Sequence, residues 1–411
     1  MSSLATITVE EIERAAKAGE NIVRQTPVLS SRTLSEQLGS VVELKTENLQ
    51  RTGSFKLRGA LAKLASLSAE ECARGVVCGS AGNHAQAVAY AARARGIPCE
   101  VFMPEAASIA KVEGARALGA TVRLVGLRVE ESLEAARERC DSGGLAFVHP
   151  FDDPHVIAGQ GGVGLELLEQ VPALARVIVP IGGGGLISGV AIAIKSSRPE
   201  VQVIGVQAAV CAPVGASLRA GTPVTVEHPQ ATIADGIAVK RPGELTLSLI
   251  DAWADQVLEV SEDQTAEAIV LLLERSKLVV EGAGAVGVAA VLAGLIEPTD
   301  SGTTAIVLSG GNVDAGLLAQ ITRRHETQSG RRLVLRTRLP DSPGSLVALL
   351  TLVADTGANL LDVQHIREGV NLHIRETAVQ LVIETRGSEH ARAVTRAVRE
   401  AGYAEPPSES A

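Results

Sequence analysis

The chain has 411 residues, room for two or three domains, and an ordinary globular balance of 46% hydrophobic and 21% charged residues. Its net charge of -9 comes without any Lys/Arg-rich run, which argues against a nucleic-acid partner. The N-terminus lacks a basic stretch followed by an apolar core, and no apolar run is long and charge-free enough to span a bilayer, so the expected location is the cytoplasm, with no membrane partner.

Aromatic residues are only 2% of the chain, which leaves alanine, valine and leucine to fill the core. In chain order, Thr8 and Glu11 have capping-box spacing ahead of Ile12, Ala15 and Ala16, and predict a first helix. Residues 41–45 read as a short strand. From Ser54 onward, helical runs at 60–67 and 85–95 alternate with short apolar runs at 76–78 and 100–103, followed by others at 122–125, 177–181 and 203–206. Such alternation predicts βα units and mostly parallel sheets. The stretch from about 54 to 150 carries its own set of units, so a smaller subdomain inserted in a larger one is expected within a region spanning residues 1–325.

The polar run at 322–332 (TRRHETQSGRR) marks a linker, centred on 326–332. Beyond it the pattern reads strand 333–339, a turn at Asp341, Ser342, Pro343 and Gly344, helix 346–356, strand 360–365, strand 377–384 and helix 389–401. That βαββα string is long enough for a small domain over 333–404. The tail 405–411 is expected to be disordered. The five cysteines, Cys72, Cys78, Cys99, Cys140 and Cys211, are odd in number and widely spaced, and fit free thiols better than a disulfide framework or a zinc site.

Four segments carry candidate chemistry. In the first, Gly53, Ser54 and Phe55 precede Lys56 at the start of a helix. The helix dipole disfavours a cation there and lowers an amine pKa, as Schiff-base chemistry requires; composition alone would equally give a solvated surface lysine. In the second, Gly79, Ser80, Ala81, Gly82, Asn83 and His84 follow an apolar strand and open a helix. The exposed N–H groups of such a turn suit a carboxylate or phosphate, while the plain alternative is a β-to-α turn capped by Ser80 or Asn83.

The third segment is Gly182, Gly183, Gly184 and Gly185 before Leu186. Four glycines cost more backbone entropy than a tight turn requires, and point to close approach of a phosphate at the following helix N-terminus. No Gly-Lys-Ser/Thr follows, which excludes a Walker A loop. The fourth is Ser309, with Gly310, Gly311 and Asn312, at the carboxyl end of an apolar strand, placed to meet a ligand or to cap a helix.

Two stretches, 159–164 and 282–287, match G-x-G-x-x-G but lack the strand before and the acidic residue after that a dinucleotide site needs. Histidines 149, 155, 325, 365, 373 and 390 read as loop or surface residues. Neither they nor His84 and His228 have partners at metal-ligand spacing, so no metal is expected.

Taken together and in order, the stretches GSFKLRGA, SAGNHAQ, HPFDD, GQG, PIGGGG, TIADG, EGAGA and LSGGN resemble the threonine dehydratase (threonine ammonia-lyase) family of fold-type II pyridoxal-phosphate (PLP) enzymes, over nearly the whole chain to about residue 320. The resemblance implies an α/β, tryptophan synthase β-like catalytic fold with parallel-rich sheets. It implies that Lys56 holds PLP as a Schiff base and shuttles the α-proton, and that Phe55 lies beside the ring. Asn83 then bonds the ring's phenolic oxygen, the N–H groups from Gly182 through Gly183, Gly184 and Gly185 to Leu186 hold the phosphate, and Ser309 meets the pyridine nitrogen. Ser80, Asn83 and His84 surround the substrate carboxylate.

The implied reaction turns L-threonine into 2-oxobutanoate and ammonia, with L-serine as a second substrate; a serine- or hydroxyaspartate-specific lyase and a catalytically silent amino-acid sensor are the alternatives. Serine racemases of the wider group carry a second serine where this chain has Ala81, and an acidic metal site where it has Gln207, Ala208, Ala209 and Val210. The C-terminal string, with DSPGSL and GANLLDVQH, resembles an ACT regulatory domain of ferredoxin-like α+β fold whose last strand is short or missing. This resemblance implies an amino-acid effector, isoleucine or valine, near the turn from Asp341 to Leu346, and a homodimer or homotetramer.

Overall fold

In a computed structural model describing residues 7–367 and 372–404, the first helix, Val9–Gly19, starts at the capping box read from the sequence. The Glu11 N–H donates to the Thr8 hydroxyl at 3.3 Å, and the Thr8 N–H donates to the Glu11 carboxylate at 2.9 Å. The chain then builds two compact units, Met1–Val313 and Asp314–Ala411. The expected tail, 405–411, lies outside the described residues. Among the described residues no helix is long and apolar enough to cross a membrane.

The first unit holds two sheets. One runs β1 (Val28–Ser30), β2 (Val41–Lys45), β10 (Thr303–Val307), β7 (Leu174–Pro180), β8 (Gln202–Ala208), β9 (Gln256–Val260). All its pairings are parallel except that of β1 with β2. The other is wholly parallel, in the order β5 (Thr121–Leu124), β4 (Cys99–Met103), β3 (Val76–Gly79), β6 (Ala146–Phe147). Strands β3 and β10 are buried at every residue, which is why they read as continuous apolar runs: a parallel sheet is covered on both faces.

The helix Lys56–Ala65 serves both lobes. Leu57, Ala60, Leu61 and Leu64 join the core of the four-stranded lobe. The other side of the helix lies against the helix Pro154–Gln170, so closely that a Cβ on Gly159 would sit 2.6 Å from the Arg58 carbonyl oxygen. Gly164 meets the Val190 carbonyl at 2.9 Å in the same way. The first G-x-G-x-x-G match is therefore a helix-packing face. The second lies in the buried helix Gly282–Leu292, where Gly287 meets Ile306.

A buried charge network fixes the start of the helix Lys56–Ala65. Arg58 donates to both Glu47 oxygens at 2.8 Å and to the Glu166 oxygens at 2.7 and 2.9 Å. Lys45 also pairs with Glu166, and donates to the Thr26 carbonyl at 2.8 Å. Two cations and two anions cancel, which is the condition for keeping such groups out of water.

In the second unit the stretch expected as a linker is instead helical as far as Gln328, in the helix Ala315–Gln328. Asp314 caps this helix, accepting from the Gly316 and Leu317 N–H groups at 2.8 and 3.2 Å. Gly330, with φ 70°, turns the chain into β11 (Arg332–Pro340). With β12 (Asn359–Ile366) and β13 (Glu376–Glu384) it forms an antiparallel sheet ordered β11-β13-β12.

Leu349 and Val353 of the helix Ser345–Asp355, and Val394 and Val398 of the helix Ser388–Glu400, pack with Leu335, Val379 and Leu381 in a single core. After the last helix the Ala404 carbonyl accepts from the Arg338 N–H at 3.0 Å and from the Thr337 hydroxyl at 2.9 Å. One residue thus bonds along β11 where a further strand would run.

Candidate active site

The four segments singled out in the sequence all lie at carboxyl ends of parallel strands or are bonded to such an end. The turn at 80–83 follows β3, the tetraglycine run follows β7 by one residue, and Ser309 follows β10 by one. In open α/β sheets this edge is where ligands bind. Lys56 comes to it through backbone bonds: the Phe55 N–H donates to the Ser309 carbonyl at 3.1 Å, the Gly311 N–H donates to the Gly53 carbonyl at 2.9 Å, and Ser54 bridges Gly310.

Lys56 is the first residue of its helix and is half-buried. Its Nζ donates to the Pro150 carbonyl at 2.7 Å and lies 5.2 Å from the centre of the Phe55 ring. Burial lowers its pKa to about 8, opposed by the attraction of Glu281. The cause expected from the sequence was the helix dipole; here desolvation leads, because the first turn is covered by the loop at Pro150.

Asn83 opens the helix Asn83–Arg95. Its Nδ2 donates to Glu281 at 2.7 Å, and its Oδ1 accepts from Asn312 Nδ2 at 2.8 Å. The side chain of His84 is committed elsewhere. It is buried, its Nε2 bonds the Val148 carbonyl at 2.8 Å, and burial lowers its pKa to about 3, so the ring is neutral. What His84 offers a ligand is its backbone N–H, which at the first turn of a helix has no intrahelical acceptor. Ser80 orders the turn, its hydroxyl accepting from the Gly82 N–H at 3.2 Å.

The tetraglycine run is packed from behind. A Cβ on Gly183 would lie 2.3 Å from the Phe151 ring, and one on Gly182 3.1 Å from Ile237. Gly184 has φ 98° and would meet Thr246 and Ile250 at 2.9 Å. The Thr246 hydroxyl donates to the Gly183 carbonyl at 2.7 Å. With that carbonyl occupied, the N–H groups at the start of the helix Gly185–Lys195, Leu186 among them, are what the turn presents. Ser309 is buried, 3% exposed.

Two residues of the site were not singled out in the sequence. Glu281 is 4% exposed, and burial, with the Asp235 carboxylate nearby, raises its pKa to about 7. Glu281 lies in EGAGA, one of the stretches that carry the family resemblance, but an isolated glutamate before an apolar helix signals no role of its own. His149, read as a loop or surface residue, is in a loop but half-buried. Its Nδ1 accepts from the Phe151 and Asp152 N–H groups at 3.2 and 2.7 Å, and its ring packs edge-on against Phe147 and Phe151. It thereby shapes the loop that supplies the Pro150 carbonyl. Cys78, Cys99 and Cys211 are buried free thiols, and Cys72 and Cys140 are partly exposed ones.

Comparison with known proteins agrees with this geometry. The family model described as pyridoxal-phosphate dependent enzyme matches residues 20–310. The L-threonine ammonia-lyase of Thermotoga maritima is 48% identical over 397 residues, covering 97% of this chain and 98% of that protein. That of Geobacter sulfurreducens is 46% identical, covering 93% and 94%. Among solved structures, the processed form of threonine deaminase isoform 2 from Solanum lycopersicum matches with a TM-score of 0.72 at 34% identity, covering 76% of this chain and 93% of that one. Maize serine racemase matches with a TM-score of 0.74 at 35% identity, covering 79% and 99%. With its two parallel-rich sheets and these relatives, the chain belongs to the threonine ammonia-lyase family of pyridoxal-phosphate-dependent enzymes.

Proposed function

We propose that the protein converts L-threonine to 2-oxobutanoate and ammonia, and L-serine to pyruvate and ammonia as a secondary reaction. The observation that carries this reading is the convergence of Lys56, Asn83, the tetraglycine turn and Ser309 on one edge of the sheets, stitched by the Phe55–Ser309 and Gly53–Gly311 backbone bonds. The residues fit PLP. A half-buried amine with a pKa of about 8 suits covalent attachment. A helix N-terminus whose neighbouring carbonyl is already occupied suits the phosphate. Phe55 would lie beside the ring, Asn83 would donate to the phenolic oxygen, and the Ser309 hydroxyl would donate to the pyridine nitrogen. Once attached, the cofactor supplies the electron sink that acidifies the substrate's α-C–H bond.

The chain's own groups do the rest. Lys56 is the attachment point, and its Nζ takes the α-proton once the substrate amine has displaced it; the depressed pKa brings the free base closer to neutral pH. The N–H groups of Asn83 and His84, with the Ser80 hydroxyl, hold the substrate carboxylate. A serine at 309 donates a hydrogen bond without stabilising a full pyridinium charge, which favours prompt loss of the β-hydroxyl over reprotonation. Ala81 offers no second base, so racemisation is slow. Overall one water is expelled with the β-hydroxyl and one is taken up when the released enamine hydrolyses to the 2-oxo acid and ammonia.

The second unit supports a regulatory reading. Its β11-β13-β12 order with two helices in a single core resembles a split βαβ, ACT-like plan, which we assign to 333–404; the compact unit that carries the catalytic residues ends at Val313, short of the 325 expected from the sequence. At the turn expected to meet an effector, Arg367 donates to both oxygens of Asp341, at 2.8 and 3.0 Å. Isoleucine or valine is the effector class, a homodimer or homotetramer the assembly, and the cytoplasm the location. The test is turnover of L-threonine, L-serine and 3-hydroxyaspartate, each with and without isoleucine. Threonine leading, with isoleucine changing its rate, is the expected result; hydroxyaspartate as the sole substrate would overturn the assignment.

A further inference from the structure

We propose that Glu281 is a positioning residue for the cofactor: its carboxylate fixes the Asn83 amide so that an N–H, and not the C=O, is presented to the cofactor's phenolic oxygen. The inference rests on the placement of PLP at Lys56 and Asn83 proposed above, and extends it to a group the reaction does not itself use.

An asparagine amide can sit either way round, and a flip would turn a donor into an acceptor against an oxygen that is itself an acceptor. In this site the flip is opposed from both ends, by a backbone carbonyl at one and by the ionised Glu281 carboxylate at the other. The Thr52 carbonyl can only accept, and it takes Asn312 Nδ2 at 2.8 Å. That fixes Asn312 with its NH₂ toward the site, where it also donates to Asn83 Oδ1 at 2.8 Å. At the other end Glu281 accepts from Asn83 Nδ2 at 2.7 Å. One Nδ2 hydrogen is used on Glu281, and the second remains for the ligand.

Glu281 is held as firmly as the residue it orients. The π-helical turn Leu272–Ser276 ends at Lys277, the one non-glycine residue with positive φ (59°) among the described residues. This turn redirects the chain into the segment carrying Glu281. Asn48 Nδ2 donates to the Val279 carbonyl at 3.1 Å, and the Glu281 N–H donates to the Gly310 carbonyl at 3.1 Å. Gly310 leaves the room the pair needs: a Cβ there would lie 2.2 Å from Glu281 Oε1 and 3.2 Å from Asn83 Nδ2. The residue after Ser309 is thus a glycine for the sake of the Glu281–Asn83 bond.

The charges facing Glu281 make this bond pH-sensitive. Burial and the Asp235 carboxylate, on the turn Asp235–Ile237, raise its pKa to about 7, while Asn83, Lys111 on the helix Ile109–Ala117 and the Asn312 backbone act the other way. Lys56 faces it across the site and is drawn toward its charged form by it. A proton gained by Glu281 as pH falls through about 7 removes a negative charge beside Asn83 and Lys56, so the visible absorbance of bound cofactor should change there.

The test uses the holoenzyme and its Glu281→Gln, Glu281→Leu and Gly310→Ala variants. It measures PLP dissociation constants, visible absorbance across neutral pH and melting of the cofactor-free forms. Gln keeps an acceptor oxygen but cannot titrate; Leu removes the acceptor; Ala at 310 displaces the carboxylate. Glu281→Leu and Gly310→Ala should raise the dissociation constant about tenfold or more, the factor carried by a bond to a charged group. Glu281→Gln should bind within about threefold of wild type and lose the absorbance step, a pattern that a purely structural role does not produce.

Wild-type affinity in a folded Glu281→Leu variant, or a persisting step in Glu281→Gln, overturns the proposal. If Glu281→Leu does not fold, the Gln step alone decides. A wild-type protein that stays colourless with PLP overturns the underlying placement instead, and so separates the two failures.

Discussion

Lys56 should weaken the cofactor-free fold at neutral pH, and Lys56→Met should strengthen it. Burial brings the Lys56 pKa from 10.5 to about 8. At about 1.36 kcal/mol per unit this is on the order of 3 kcal/mol at pH 7, an upper figure because the side chain is only half-buried. Losing the Nζ bond to the Pro150 carbonyl returns about 1 kcal/mol. The methionine variant should therefore be about 2 kcal/mol more stable at pH 7.

The pH dependence fixes the cause. Between about 8 and 10.5 the unfolded chain still holds the Lys56 proton that the folded chain has released, so wild-type stability rises with pH across that window. The variant lacks this contribution, and the gap should close as pH rises. Urea unfolding of both cofactor-free proteins at pH 7 and near pH 10 measures it. A wild type more stable than the variant at pH 7, or a gap that ignores pH, would refute the reasoning.

Arg58→Ala leaves the buried carboxylate of Glu47 and the partly buried one of Glu166 without their bidentate partner, and should cost about 3–5 kcal/mol in urea unfolding; a loss under 1 kcal/mol would show that water reaches the network. Gly183→Ala puts a Cβ 2.3 Å from the Phe151 ring. It should cost about 1–3 kcal/mol and weaken PLP binding together with it, as read by calorimetric melting and cofactor titration. Melting unchanged from wild type would mean that Phe151 moves freely.

Much of the fold was legible because parallel strands are covered on both faces. The run at 76–78 and the apolar stretch before Ser309 are buried throughout, so hydrophobicity alone marked them. The glycine-rich turns were legible because their glycines serve sterics: Gly184 has positive φ, and Gly183 faces an aromatic ring. The same cue misleads in helices, where the glycines at 159–164 let helices touch and those at 282–287 let a buried helix approach the strands and loops around it.

Polarity failed at 322–328 because a helix with Ile321 as its buried residue looks like a linker. Glu281 was illegible because its partner Asn83 is 198 residues away, and nothing local tells a buried glutamate from a helix-capping one. His149 was rightly read as a loop residue, but its half-burial was not legible, since the N–H donors to its Nδ1 and its ring contacts face it only when the loop after β6 folds back. The depressed pKa of Lys56 was anticipated, but its leading cause, burial, is a property of the assembled site.

The most direct measurement is 2-oxobutanoate formation from L-threonine by the PLP-loaded protein, set beside Lys56→Ala with its visible absorbance recorded. Wild-type protein should be yellow and active. The alanine variant should bind PLP without the wild-type band and form no 2-oxo acid above background. Turnover at the wild-type rate in the folded Lys56→Ala variant would contradict the assignment of Lys56 as the cofactor's attachment point and proton carrier.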